Sequence, residues 1–189
     1  MSQAKTLTQE EIAHVLSYVS TRRFALRNRV MFLMGLWSCV RVASIANMLV
    51  GDVMNEDGTV KAEVRLTGAK IKGGKPQTVF FPKKLQVELQ RYMDLRRVTD
   101  MSQPLFVTAG AKAFSPNVLA QHFFWLFKRC QIAGASSHSM RRSGITSLAS
   151  KGVGVRVLAK IANHSSISVT QKYIDCSDDM IRNAVELID

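Results

Sequence analysis

The sequence predicts a mainly α-helical domain carrying one small three-stranded antiparallel sheet, an α+β arrangement. Three observations support this. Apolar residues recur at helical spacing over most of the 189 residues. Three short β-like runs lie together between Ala62 and Phe81. No repeat, low-complexity stretch or long linker divides the chain, so 1–189 reads as a single domain.

The elements follow in order. Thr8-Gln9-Glu10-Glu11 is a capping-box pattern, and Ile12, Val15, Leu16 and Val19 continue it as an amphipathic helix over about 8–20. A second helix is expected from about Phe24 to Ser38 and a short third from about Val42 to Met48. Gly51-Asp52 and Asn55-Glu56-Asp57-Gly58 read as turns. The β-like runs are Ala62–Leu66, Ala69–Lys72 and Gln77–Phe81, with Gly73-Gly74 as a tight hairpin between the last two. Further helices are expected at 83–97, 115–133, about 139–151, 155–162, 166–174 and 178–188. Ser115-Pro116 suits a helix entry and Gly152 a helix stop.

Composition narrows the function. Lys and Arg total 26 against 14 Asp and Glu, a formal charge of +12. The excess is +7 over residues 1–100 (16 basic, 9 acidic) and +5 over 101–189 (10 basic, 5 acidic), so it is not a detachable tail. A folded domain this basic suggests a polyanionic partner, most often nucleic acid. The three cysteines (Cys39, Cys130, Cys176) show neither pairing nor metal-ligand spacing, which points to reduced thiols in a cytoplasm-like compartment. The N-terminus lacks the apolar run of a signal peptide, and no apolar stretch approaches the ~18 residues of a membrane span. A cytoplasmic, nucleoid-associated protein is expected.

The chemistry gathers in the last third. His138-Ser139-Met140-Arg141 is followed by His164, 23 residues after the arginine, and then by Tyr173, nine residues later. A phenol can serve as nucleophile, a guanidinium fork matches two phosphate oxygens, and imidazoles donate or accept protons near neutral pH. His138 and Arg141, at i and i+3, share one helix face. Each residue alone has a plainer reading as core packing or ion pairing. Their combined spacing is what argues for a site.

The stretch Ile161–Tyr173 (IANHSSISVTQKY) resembles the closing box of the tyrosine recombinases, the phage-integrase family. The segment Gly35–Asp52 resembles that family's first arginine box, with Arg41 as its arginine, and His138–Gly144 resembles the second. Thr67–Pro82 is similar to the family's β-hairpin, whose tip lysine protonates the leaving 5′ oxygen. Counting back seven from Val79 favours Lys72 for that role, with Lys70 next and Lys75 as a phosphate contact.

The resemblance covers about residues 38–175 and implies the tyrosine recombinase catalytic fold. It also implies a site of Arg41, Lys72, His138, Arg141, His164 and Tyr173, with Lys70, Lys75 and Arg142 on DNA. The implied activity is site-specific DNA cleavage and rejoining through a 3′-phosphotyrosyl intermediate, without metal, ATP or other cofactor. The implied partners are duplex recombination sites and further recombinase subunits, typically in a tetramer. The helical core-binding domain usual before the catalytic one has no room ahead of Thr8 in this sequence, which is expected either of a small single-domain recombinase, like those that invert promoter segments, or of a piece of a longer protein.

Three departures stand out. Ser44 occupies a usually acidic position, leaving the orientation of Arg41 to some other group; Cys39 occupies a common glycine; and Ala162-Asn163 replaces Leu-Gly before the histidine. Asn is the best substitute for Gly at a left-handed helix stop. An accessory DNA-binding protein of this fold and a small type IB topoisomerase are the competing readings.

Overall fold

A computed structural model describes residues 4–68, 76–173, 181–182, 185–186 and 188. Helix α1 (Gln9–Ser20) starts at Thr8, whose Oγ1 accepts from the Glu11 N–H at 3.2 Å while Glu11 Oε2 accepts from the Thr8 N–H at 3.0 Å. The expected capping box is therefore formed. Helix α2 (Ala25–Trp37) is buried on nearly every face, with Val30 to Leu36 all buried and Arg27 and Asn28 buried at its start. It forms the axis of the domain. Helices α3 (Val42–Ala46) and α4 (Val50–Val53) follow it.

The Gly51-Asp52 turn is corrected: these residues sit inside α4, a single helical turn. Asp52 Oδ2 accepts from the Leu49 N–H at 2.8 Å, and Val50 and Val53 are buried beneath it. Side-chain capping converts turn chemistry into a helix start.

The three-stranded sheet is also corrected. Among the described residues the sheet has two strands, β1 (Glu63–Leu66) and β2 (Gln77–Phe80), in direct antiparallel register. Val64 pairs with Val79 and Leu66 with Gln77, so the first β-like run joins the third. Those four side chains alternate onto one buried face, which fixes the register. The run Ala69–Lys72 and its Gly-Gly turn lie outside the described residues.

Helices α5 (Lys83–Arg96), α6 (Pro116–Arg129), α7 (Ser139–Ser150), α8 (Val155–Ile161) and α9 (Ile167–Gln171) complete the described elements. Ser115 caps α6 with Pro116 in its first turn, and Gly152 ends α7 at φ +81°. The expected helix at 178–188 lies largely outside the described residues. No described helix is long and apolar enough to cross a membrane.

Helix α2 packs on α1, α3, α5 and α7. At its crossing with α7 the backbones nearly touch. A Cβ on Gly144 would lie 2.2 Å from the Leu36 carbonyl oxygen, and one on Gly35 would lie 3.2 Å from Met140 Cβ. This crossing carries Arg141 on one side and the chain leading to Arg41 on the other.

The main core, with Phe32 and Phe127 edge-to-face at 6.3 Å, fills the space around α2. A separate small cluster of Cys39, Ile145 and Ala162 lies beyond the crossing, with Leu148, Ile161 and Tyr173 packed on it.

Candidate active site

The site is organised by the turn that ends α8. Asn163 takes φ +46°, the left-handed conformation expected of it. Its N–H donates to Lys160 O at 3.1 Å and the His164 N–H donates to Ala159 O at 3.0 Å, which is a Schellman stop. The next three carbonyls point outward, and each receives a side chain from a different part of the fold. Gln77 Nε2 of β2 donates to Ile161 O at 3.0 Å, Arg141 Nη2 of α7 to Ala162 O, and Arg41 Nη2, ahead of α3, to Asn163 O at 3.0 Å. Orphan carbonyls at a helix C-terminus carry partial negative charge and suit cationic donors. Here they bring both arginines to the segment that bears His164 and Tyr173.

This answers the question that Ser44 raised. Ser44 is buried, and a backbone carbonyl orients Arg41 instead of a carboxylate. Arg141 is held more firmly, since its Nη1 also donates to Cys39 O at 2.7 Å and only 6% of the residue is exposed. Cys39 itself adopts φ +53°, which explains why a glycine suits this position. Burial pushes the Cys39 thiol up to about 11, with Arg141 opposing, so it stays a neutral packing group.

Among the described residues neither arginine has a carboxylate partner. Burial, and secondly the Arg41 cation, pull Arg141 down to about 10, and burial also lowers Arg41. Both remain charged at neutral pH. The Tyr173 phenol lies within electrostatic reach of both guanidinia. Two adjacent, uncompensated cations define a place where an anion is stabilised.

His164 is half-buried beside them. Burial first, then Arg141 and Arg41, push its imidazole down to about 4, so it is neutral at physiological pH. Its Nδ1 lies 2.9 Å from Thr170 Oγ1, and its ring stacks on Tyr173 with centroids 5.6 Å apart and planes 22° from parallel. Tyr173 follows α9, its N–H donating to Thr170 O at 2.9 Å.

His138 is the N-cap of α7 and is exposed. Together with Arg141, Arg142, Tyr173, Ala4, Gly134 and Ser136 it lines a cleft of about 310 Å³. Arg142 stands over the Tyr173 ring, its Cζ 5.0 Å from the centroid, and its Nε donates to Thr6 Oγ1 at 3.1 Å. The structure therefore brings together Arg41, His138, Arg141, Arg142, His164 and Tyr173. Lys70, Lys72 and Lys75 lie outside the described residues, although Gln77, which opens β2, is tied to the α8 turn. Sequence reading missed Thr170 and the three receiving carbonyls. Thr170 had one signal, its position three residues before Tyr173. Backbone carbonyls leave no signature in side-chain type.

Two arginines without a carboxylate partner among the described residues, a neutral histidine and a tyrosine gathered in a mostly helical domain make a place suited to an anion. The sequence profile of the phage integrase family matches residues 5–180, and the chain belongs to that family. It is 29% identical over 185 residues to the tyrosine recombinase XerA of Pyrococcus furiosus, covering 96% of this chain and 61% of that protein. It is thus similar to about three fifths of that relative's length. A crystal structure of XerA recombinase superposes with a TM-score of 0.76 at 22% identity, over 98% of this chain and 65% of that one. The Tn1549 transposon integrase, solved in complex with transposon right end DNA, gives 0.75 at 16% identity, over 100% of this chain and 67% of that one. At these identities the structural likeness establishes the fold.

Proposed function

We propose that this chain carries the catalytic machinery of a site-specific DNA recombinase that cleaves and rejoins strands through a 3′-phosphotyrosyl intermediate. The supporting observation is the pair of uncompensated guanidinia of Arg41 and Arg141, set beside His164 and facing the phenol of Tyr173. Family membership and the tyrosine recombinase relatives point the same way. So do structural neighbours solved on DNA.

In this reading the Tyr173 oxygen attacks the scissile phosphorus, forming the Oη–P bond as the bond to the 5′ oxygen breaks. His138 accepts the tyrosyl proton or hydrogen-bonds a phosphate oxygen, and Lys72 gives a proton to the departing 5′ oxygen. Arg41, Arg141 and His164 hold the equatorial oxygens, whose negative charge grows in the transition state. Lys70, Lys75 and Arg142 contact DNA. The phosphotyrosine conserves the bond energy, so a second 5′-hydroxyl can reverse the step. Four subunits on two duplex sites complete the strand exchange.

The test is covalent trapping. A duplex nicked near the cleavage point should yield a protein–DNA adduct in EDTA. Tyr173→Phe should abolish the adduct while leaving DNA affinity within about twofold, because phosphate charge dominates such binding. Adduct formation by the Phe variant would remove Tyr173 as nucleophile. Tight binding without any adduct would mark an accessory DNA-binding protein.

A further inference from the structure

The proposed mechanism uses His164 as a hydrogen-bond donor to a phosphate oxygen, and a neutral imidazole has only one N–H to give. Which nitrogen bears it depends on what faces the other. Nδ1 faces Thr170 Oγ1 at 2.9 Å. Thr170 is fully buried on α9, and its hydroxyl has no other hydrogen-bond partner among the described residues. A buried hydroxyl proton with a single acceptor in reach donates to it, because leaving it unmade costs the whole desolvation penalty. We propose that Thr170 is a positioning residue that donates to His164 Nδ1, thereby fixing the Nε2–H tautomer and aiming that N–H at the scissile phosphate.

The geometry around the ring fits this assignment. Stacking against Tyr173, 22° from parallel, limits rotation of the imidazole plane. Nε2 has no partner among the described residues and is left available for a ligand. The charged groups facing the ring are Arg141 on α7 and Arg41 ahead of α3, both cations that keep it neutral. The opposite tautomer would strand the threonine proton in a buried site and aim a lone pair at an anion. Both consequences are unfavourable. One short helix thus carries the group that sets the histidine, and the nucleophile follows three residues later.

For its effect on cleavage this inference rests on the phosphotyrosyl reading; for the tautomer it stands alone. The test uses the full chain with ¹⁵N imidazole spectra over a pH series, for the wild type, Thr170→Val and Thr170→Ser. The wild type should show His164 protonated on Nε2 with Nδ1 as a hydrogen-bonded acceptor. A donor to Nδ1 favours the neutral ring, so Thr170→Val should raise the His164 pKa and Thr170→Ser should leave it near the wild-type value. On the nicked duplex Thr170→Val should cleave about tenfold more slowly with DNA affinity unchanged, the equivalent of one hydrogen bond. Thr170→Ser should recover most of that rate.

An Nδ1–H tautomer in the wild type, or a lowered pKa in Thr170→Val, would overturn the assignment. A wild-type cleavage rate in Thr170→Val would overturn the positioning role. If the wild-type chain forms no adduct at all, the phosphotyrosyl reading fails, and the spectra still decide the tautomer.

Discussion

The α2–α7 crossing and the α8–α9 segment contribute to the same site by opposite means. The crossing is held by backbone proximity: Gly144 meets the Leu36 carbonyl with no room for a Cβ, Gly35 lies tight against the Met140 side chain, and the main core closes around α2. The α8–α9 segment has little core of its own. Leu158 and Ala159 are the buried residues of α8, and Thr170 is the buried residue of α9. Hydrogen bonds from elsewhere hold it instead, with Gln77, Arg141 and Arg41 on three successive carbonyls. One region gains order from packing and the other from polar contacts that a single side chain can remove. The lesson is that Arg141 has a structural task before any catalytic one, because it joins the two regions.

The largest expected effect comes from breaking that joint. A lysine at position 141 presents one ammonium in place of a fork, so it cannot hold Cys39 O and Ala162 O and also meet a phosphate. Arg141→Lys should lower cleavage of a nicked duplex by about a thousandfold, in the range for loss of a fixed oxyanion donor. Arg41→Lys gives up only one carbonyl contact and should lose much less, about tenfold to a hundredfold. Single-turnover rates on one substrate decide the order. Equal losses would show that the two arginines are not held differently.

The packing side is tested at Gly144. Its added Cβ in Gly144→Ala would meet the Leu36 carbonyl oxygen, an atom of a buried helix with nowhere to move. Destabilisation of about 3 kcal/mol is expected, at the upper end for overpacking, read as a shift in the urea midpoint at constant m-value. A drop under about 1 kcal/mol would mean that the crossing yields, and with it the contrast between the two regions.

Much of the fold could be read from the chain because its signals are local. The Thr8 cap, the Ser115-Pro116 entry, the Gly152 stop and the left-handed Asn163 each depend on a residue and its near neighbours. What the chain did not disclose is long-range. Gly51-Asp52 became a helix where Val50 and Val53 are buried and the Val50 and Gly51 N–H groups donate to Gln103 O and Met101 O, each at 2.8 Å. The first β-like run chose the third as partner through a buried face shared across the sheet. In the site, residue types and spacing led to His138, Arg141, His164 and Tyr173, and the family resemblance led to Arg41, while the carbonyls that orient Arg41 and Arg141 are visible only in three dimensions. Arg142 shows the same limit: its place over the Tyr173 ring and its tie to Thr6 are visible only in three dimensions.

A smaller effect is expected where the polar region relies on backbone conformation. Asn163→Gly should change stability by no more than a few tenths of a kcal/mol, since glycine accepts φ +46° freely. Asn163→Val should cost about 1–2 kcal/mol, the penalty of the left-handed region for a β-branched residue. Thermal melts of the two variants check this. Equal melting temperatures would mean that the turn is set by its three incoming donors and not by residue 163.

A last test separates the regions by pH. Two histidines are pushed down to about 4, one in each environment. His164 is lowered by burial and then by Arg141 and Arg41, whereas His122 sits among Phe114 and Phe123 with a buried Nε2 that has no hydrogen-bond partner among the described residues, and is lowered by burial and then by Arg27 and Arg129. Each folded value lies below the unfolded value near 6.5, so between about pH 6.5 and pH 4 the unfolded chain binds protons that the folded chain does not. Stability should therefore be complete above the unfolded value and fall as pH drops through that window. His122→Phe should flatten part of the fall, and His164→Gln another part. Duplex DNA should then distinguish the two groups. A phosphate beside the arginines favours the charged imidazole, so in the phosphotyrosyl reading DNA raises the His164 pKa. His122, enclosed by aromatic rings in the packed region, should not respond. Imidazole spectra of the complex read both at once, and a shift at His122 with none at His164 would place the DNA phosphate away from the proposed site.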